Sequence, residues 1–234
     1  MAKISDVNAI QVFDSRGVPT ISCKITLDNG ISASSMVPSG ASTGSKESLE
    51  LRDNEGSYHG KGVLKAVSNI KNKLKPLILG LNPANQLEID QILIDFDGTE
   101  DKSKIGANSI LAISLAISHA AAKDQNIDLH EHFLNLYKNI TGDSIKPSIP
   151  IPMFNILNGG EHANNNIDIQ EFMIIPKGAK NFSEIMKWSS EIYHNLKNIL
   201  QIKGFSSSVG DEGGFAPNLE SNEEAIKLII EAPN

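Results

Sequence analysis

The stretch "ISCKITLDNGISASSMV", Ile21 to Val37, sets Ile21, Cys23, Ile25 and Leu27 against Ser22, Lys24 and Thr26, then turns at Asn29-Gly30 into a second β-like run. Side chains of a strand alternate between two faces, and Asn-Gly suits a tight two-residue turn, so the pattern reads as a hairpin with one buried face. A strand from Ile4 to Phe13 completes a three-stranded antiparallel meander. Val63, Leu64, Val67, Ile70 and Leu74 recur at helical spacing on one face, and Asn82-Pro83 predicts the cap and first turn of a helix reaching about Ile94. Ile110 to Ala122 is apolar but short, and Ser114, Ser118 and His119 interrupt it, so it reads as a buried core helix rather than a membrane span. Residues 1–143 therefore read as an α+β domain.

After "TGDSIKPSIP", Thr141 to Pro150, the texture changes. Two β-like runs, Pro152 to Leu157 and Ile169 to Ile175, are separated by a segment too short for a crossover helix, which predicts antiparallel pairing or an irregular join. An amphipathic helix follows, with Ile185, Trp188, Ile192, Leu196 and Ile199 on one face. A short strand then delivers Gly210-Asp211-Glu212, and a last helix runs from Glu223 to Glu231. Strand, helix, strand, helix begins a βα barrel or an open α/β sheet, in which sites form at the C-terminal ends of strands. Residues 144–234 supply only a start, because a closed barrel takes about twice as many.

At 234 residues and 40% hydrophobic content the chain can bury a sizeable core. A net charge of -7 argues against nucleic-acid binding, which needs concentrated Lys and Arg. An anionic small substrate remains compatible, since a bound cation reverses the local field. Cys23, the single cysteine, sits in the alternating run and reads as a buried structural thiol in a reducing compartment. "MAKISDVNAI" lacks the apolar stretch of a secretory signal, and the expectation is a soluble, cytoplasmic protein.

Four loops are candidates for chemistry. "VPSGASTGSKES", Val37 to Ser48, offers Gly40, Gly44 and Lys46, but its glycines are one residue too close for a P-loop and Glu47 follows the lysine, which excludes a nucleotide loop. Its small hydroxyl residues suit either a flexible connection or a loop that closes over a ligand and offers oxygens to a hard cation such as magnesium. In "NGGEHANNNIDIQEF", Asn158 to Phe172, Gly159 and Gly160 allow close backbone approach and His162 provides a donor near a strand end, while "ANNNID" reads as a loop. Gln170 and Glu171 enter an otherwise apolar strand, where unpaired polar groups cost free energy, and this points to a polar cavity. Regular alternation sends the two to opposite faces. In "SSSVGDEGGFAP", Ser206 to Pro217, Gly210, Gly213 and Gly214 clear side chains from around Asp211 and Glu212, as crowding by another group would require. If that strand lies beside the one bearing Glu171, three carboxylates gather, and their repulsion raises a pKa or recruits a cation, giving a general acid. The alternative is an acidic turn with a Lys partner.

"DSRGVPT" (Asp14 to Thr20), "VPSGASTGS" (Val37 to Ser45), "NGGEHA" (Asn158 to Ala163), "DIQEFMIIP" (Asp168 to Pro176) and "GDEGGFAP" (Gly210 to Pro217) occur in the order and approximate spacing of the enolase family, which the chain resembles from about Ile4 onward. The resemblance implies an α/β protein whose α+β N-terminal domain is followed by the first part of a TIM-like β/α barrel, truncated. It implies the glycolytic lyase reaction, reversible dehydration of 2-phosphoglycerate to phosphoenolpyruvate, with two Mg2+ ions per site. Glu212 is then the general acid, with glycines that make room for substrate, and Glu171 supports it. Gln170, His162, Gly40 and Ala41 contact substrate, and Ser42 ligates the second magnesium. The family's base lysine, its three carboxylate metal ligands and its phosphate-binding Arg and Lys fall beyond Asn234, so the chain alone is expected to be inactive. The alternative is a non-catalytic enolase-derived binding or dimerisation module. The family also implies a homodimer, although Val18 stands in place of its usual Asn and Ser22 in place of a Glu that joins an inter-subunit ion pair. Family members occur in the cytoplasm and also at the cell surface.

Overall fold

The alternating residues do share one face. In a computed structural model that describes residues 2–40 and 44–233, Ile21, Cys23 and Ile25 are wholly buried in β2 (Pro19–Leu27). Burial pushes the Cys23 thiol up to about 12, so it is an inert core group at neutral pH. β2 is the middle strand, paired antiparallel with β1 (Ile4–Phe13) and β3 (Ser32–Met36).

Further along this unit, α1 (Leu64–Asn69), one π-helical turn (Ile70–Leu74) and α2 (Lys75–Ile78) follow one another. Pro76, which has no N–H to give, stands in the first turn of α2 and accounts for the break in the α ladder. Val63, Val67, Ile70 and Leu74 are buried as their spacing predicts, but Leu64 is 60% exposed, being turned about 100° away from Val63. α3 (Gln86–Asp97) begins three residues later than Asn82-Pro83 suggests, because the Asn82 side chain accepts the Ala84 N–H and holds a turn there. α4 (Ala107–Gln125) is the expected core helix and packs on β2 and β3 with Ala112, Ile113, Ala116, Ile117 and Ala120 wholly buried. Its polar residues are paired: Ser118 donates to Gln86 Oε1 at 2.9 Å and Ser109 to the Ile105 carbonyl at 2.9 Å. α5 (Leu129–Thr141), an amphipathic helix not among those expected, starts at a capping box of Asp128 and Glu131.

The chain divides into two units, Met1–Pro147 and Ser148–Asn234. In the second, β4 (Phe154–Asn158) pairs antiparallel with β5 (Glu171–Ile174), one of the two joins the sequence allowed. α6 (Phe182–Ile202) and α7 (Asn222–Glu231) are capped by the side chains of Asn181 and Ser221, which accept the N–H groups of Glu184 and Glu224. The buried stripe of α6 is rotated from the one read in sequence: Ser189, Leu196 and Leu200 are buried, whereas Ile185, Trp188, Ile192 and Ile199 are half-buried. The strand expected before Gly210 is reduced to one bridge, Val209 facing Phe215, and Phe215 itself lies parallel to Leu157. Among the described residues this unit holds two strands and no closed barrel, and no helix is long and apolar enough to cross a membrane.

Candidate active site

β4 lies between β5 and the segment at Phe215, with the Asn158 N–H donating to the Phe215 carbonyl at 2.8 Å and the Phe215 N–H to the Ile156 carbonyl at 3.0 Å. Glu171 therefore sits on one side of β4 and the "GDEGG" turn on the other, and the condition for gathering three carboxylates is not met. Among the described residues no group of three His, Cys, Asp or Glu side chains is placed to hold a metal. Asp211 and Glu212 are exposed, and neither carboxylate has a hydrogen bond or ion pair among the described residues, so the alternative lysine partner is missing too.

What comes together instead is a histidine and a glutamate. His162 closes a short 3-10 turn (Gly160–His162) and is 6% exposed. Its Nδ1 is 3.5 Å from Glu171 Oε1, just beyond a good hydrogen bond, and has no other partner. The backbone of the same residue ties in the acidic turn, because the Asp211 N–H donates to the His162 carbonyl at 3.0 Å. Tyr193 on α6 adds a lid to that turn: its ring stacks on Phe215 at 4.4 Å and its hydroxyl donates to the Gly213 carbonyl at 3.0 Å.

The glycines of "GDEGG" have a different purpose from the one expected. A Cβ on Gly210 would lie 2.5 Å from the His162 carbonyl oxygen, and one on Gly214 would lie 2.7 Å from the Leu157 nitrogen and 2.8 Å from Asn158 Oδ1. They make room for the protein's own backbone rather than for substrate. Only Gly213, at φ 81 with open space around it, is required by its conformation. An open cleft of about 720 Å3 is lined by Gly160, His162, Ser206, Ser208, Gly210 and Asp211. Gln170 is exposed just before β5 begins and lines a separate cleft of about 460 Å3 with Asn165 and Asp168, so the expected strand position holds for Glu171 but not for Gln170.

In the N-terminal unit, two arginines fasten the segment at Ser39 and Gly40. Arg16, held by Asp14 at 3.1 Å, donates from Nη2 to the carbonyls of Ser39 at 2.9 Å and Gly40 at 3.2 Å. Arg52 donates to the Pro19 carbonyl at 2.6 Å and to Ser39 Oγ at 3.1 Å, and is paired with Glu50 at 2.7 Å.

Two family models match the chain: the enolase N-terminal domain over residues 4–133 and the enolase C-terminal TIM barrel domain over residues 146–234. The chain belongs to the enolase family. The three-stranded sheet with its helices is the enolase N-terminal domain, and the second unit is part of the enolase barrel. Enolase-family domains carry an enolase-type lyase function with a general dependence on Mg2+. The described residues do not make up such a metal site by themselves, since Glu171 stands across β4 from Asp211 and Glu212. Ala41 and Ser42, the expected substrate contact and magnesium ligand, lie outside the described residues.

Two residues that fix this geometry went unread in the sequence. Asn158 was visible as a polar residue closing the apolar run "FNILN", and Tyr193 as the aromatic between Ser189 and Leu196 on α6, but only tertiary placement gives either a partner.

Proposed function

We propose that the chain carries the proton-donating side of an enolase-type dehydration, in which 2-phosphoglycerate gives up a proton to a base and its hydroxyl, protonated, as water to give phosphoenolpyruvate. Glu212 is the general acid and donates to the departing hydroxyl, while Glu171 and His162 form the polar pair behind it. Gln170, Gly40 and Ala41 contact substrate, Ser42 contributes oxygen to a magnesium ion, and a complete site forms in a cytoplasmic homodimer. The observation that carries this reading is the buried His162, aimed at Glu171 and bonded through its backbone to the turn bearing Glu212. An exposed, unpaired carboxylate such as Glu212 is free to meet a substrate oxygen. The dispersed carboxylates support a second reading, in which residues 1–234 act as a non-catalytic binding or dimerisation module.

The test is an assay of phosphoenolpyruvate formation from 2-phosphoglycerate in Mg2+. Residues 1–234 alone should give no turnover, whereas the chain supplied with an enolase second half bearing the base lysine and carboxylate ligands should be active. In that complemented form Glu212→Gln should reduce kcat by about a hundredfold or more. Turnover by the chain alone defeats the incompleteness, and full activity of Glu212→Gln defeats its role.

A further inference from the structure

We propose that Asn158 is the positioning residue of this site, a buried carboxamide that fixes the segment leading into Glu171 and the turn bearing Glu212 to one point of β4. Its purpose rests on the dehydration reading above, but the geometry is independent of it. Asn158 ends β4 and is wholly buried. Its Oδ1 accepts the Gly214 N–H at 2.8 Å, and its Nδ2 donates to the Gln170 carbonyl at 3.1 Å. The orientation of the amide is dictated by these partners, one of which can only donate and the other only accept. The main chain of Asn158 is engaged as well, donating to Phe215 at 2.8 Å and accepting from Asn165 Nδ2 at 2.9 Å.

One side chain thus joins the segment before Glu171 to the segment after Glu212. Rotation about either of its bonds would break a contact, and no other residue type of this size offers both a donor and an acceptor in a fixed plane. Aspartate keeps the acceptor for Gly214 and loses the donor for Gln170. Alanine loses both and leaves the buried Gly214 N–H unpaired. The glycines complete the device, because a Cβ at position 214 would strike Asn158 Oδ1 and one at position 210 would approach the Asn158 Cβ at 3.0 Å.

The experiment uses the 234-residue chain and nuclear magnetic resonance, comparing wild type with Asn158→Ala and Asn158→Asp. In Asn158→Ala, exchange of the Gly214 amide should accelerate by about ten- to a hundredfold, and the imidazole nitrogen resonances of His162 should move. In Asn158→Asp the Gly214 amide should stay protected while the Gln170 carbonyl and His162 resonances move. Amides of α6 and α7 should keep their protection in both. Unchanged Gly214 and His162 signals would overturn the proposal, as would a loss of protection spread evenly through α6 and α7, which marks an ordinary core residue. If Asn158→Ala fails to fold, Asn158→Asp alone decides: a Gln170 carbonyl and His162 at their wild-type positions refute the proposal. Turnover enters none of these readouts, so the dehydration reading and the positioning role can fail separately.

Discussion

In the N-terminal unit a sheet is closed by apolar burial, Ile21, Cys23 and Ile25 of β2 sharing one core with Ile113 and Ile117 of α4. In the barrel unit the segments that carry His162, Glu171 and Glu212 are fastened by side-chain amides. Asn158 and Asn165 tie β4 to Gly214 and Pro217, and Asn166 both donates to Leu219 at 2.6 Å and accepts from it at 3.0 Å. Asn222 reaches from α7 to the N–H of Asp168 at 3.2 Å. Apolar burial is strong and non-directional, whereas each hydrogen bond contributes only about 0.5–1.5 kcal/mol net but fixes position and angle. The first unit gains stability from its contacts; the second has its own apolar core, with Leu157, Phe172, Leu196 and Phe215 buried in it, and gains from the added amide bonds the placement of reactive groups that a catalytic site needs to within about 0.5 Å.

That contrast is broken most directly by large-to-small changes in the first unit. Ile113→Ala, at a wholly buried position, should cost about 2–5 kcal/mol in urea denaturation. A loss well under 1 kcal/mol would show a core that relaxes around the gap. Smaller effects are expected in the second unit, where Trp188, the single tryptophan, reports unfolding by its fluorescence. Gly214→Ala should cost about 1–3 kcal/mol, because its Cβ meets backbone and Asn158 at under 3.0 Å. Gly213→Ala meets nothing and pays only for its left-handed conformation, about 1 kcal/mol. Equal costs at the two positions would remove close approach as the reason for Gly214.

The same division explains what was legible in the sequence. Period-two and helical spacing report apolar faces, so the meander, the core helix α4 and the helices α6 and α7 could be read from residue types alone. Leu64 was misread because adjacent helical positions differ by about 100°, which spacing in a short helix resolves poorly, whereas the covered stripe of the 21-residue α6 is set by which segments pack on its broad apolar face. For the candidate site, residue types single out His162, Glu171 and Glu212 but carry no information on how the fold arranges them. Whether Phe215 lies beside β4 or β5 depends on pairing between distant segments, and no local pattern encodes it. The glycines of "GDEGG" were read as space for a ligand for the same reason: what occupies the space is the Leu157 and His162 backbone, more than 40 residues away.

The smallest expected effect concerns a buried polar group against the apolar core of the N-terminal unit. His132 is the one residue of α5 that is buried among those described, and its Nε2 has no partner. α5 packs on α4, whose titratable side chains are His119, Lys123 and Asp124, the last two bonded to Ser32 and Asn29. Burial holds the imidazole below its ordinary range, since the charged form would lose its water without gaining a counter-charge. The unfolded chain then binds a proton at a higher pH than the folded one. Stability from this group is complete above the ordinary histidine value of about 6.5 and declines as pH falls through the depressed folded value, by less than about 1.4 kcal/mol per pH unit. His132→Leu should be near neutral at pH 8, because an unpaired buried nitrogen is replaced by an apolar group, and should flatten the acid side of a stability-against-pH curve. If wild type and His132→Leu lose stability in parallel between pH 7 and 5, the imidazole is not the group responsible, and the unit's apolar closure extends to α5 without it.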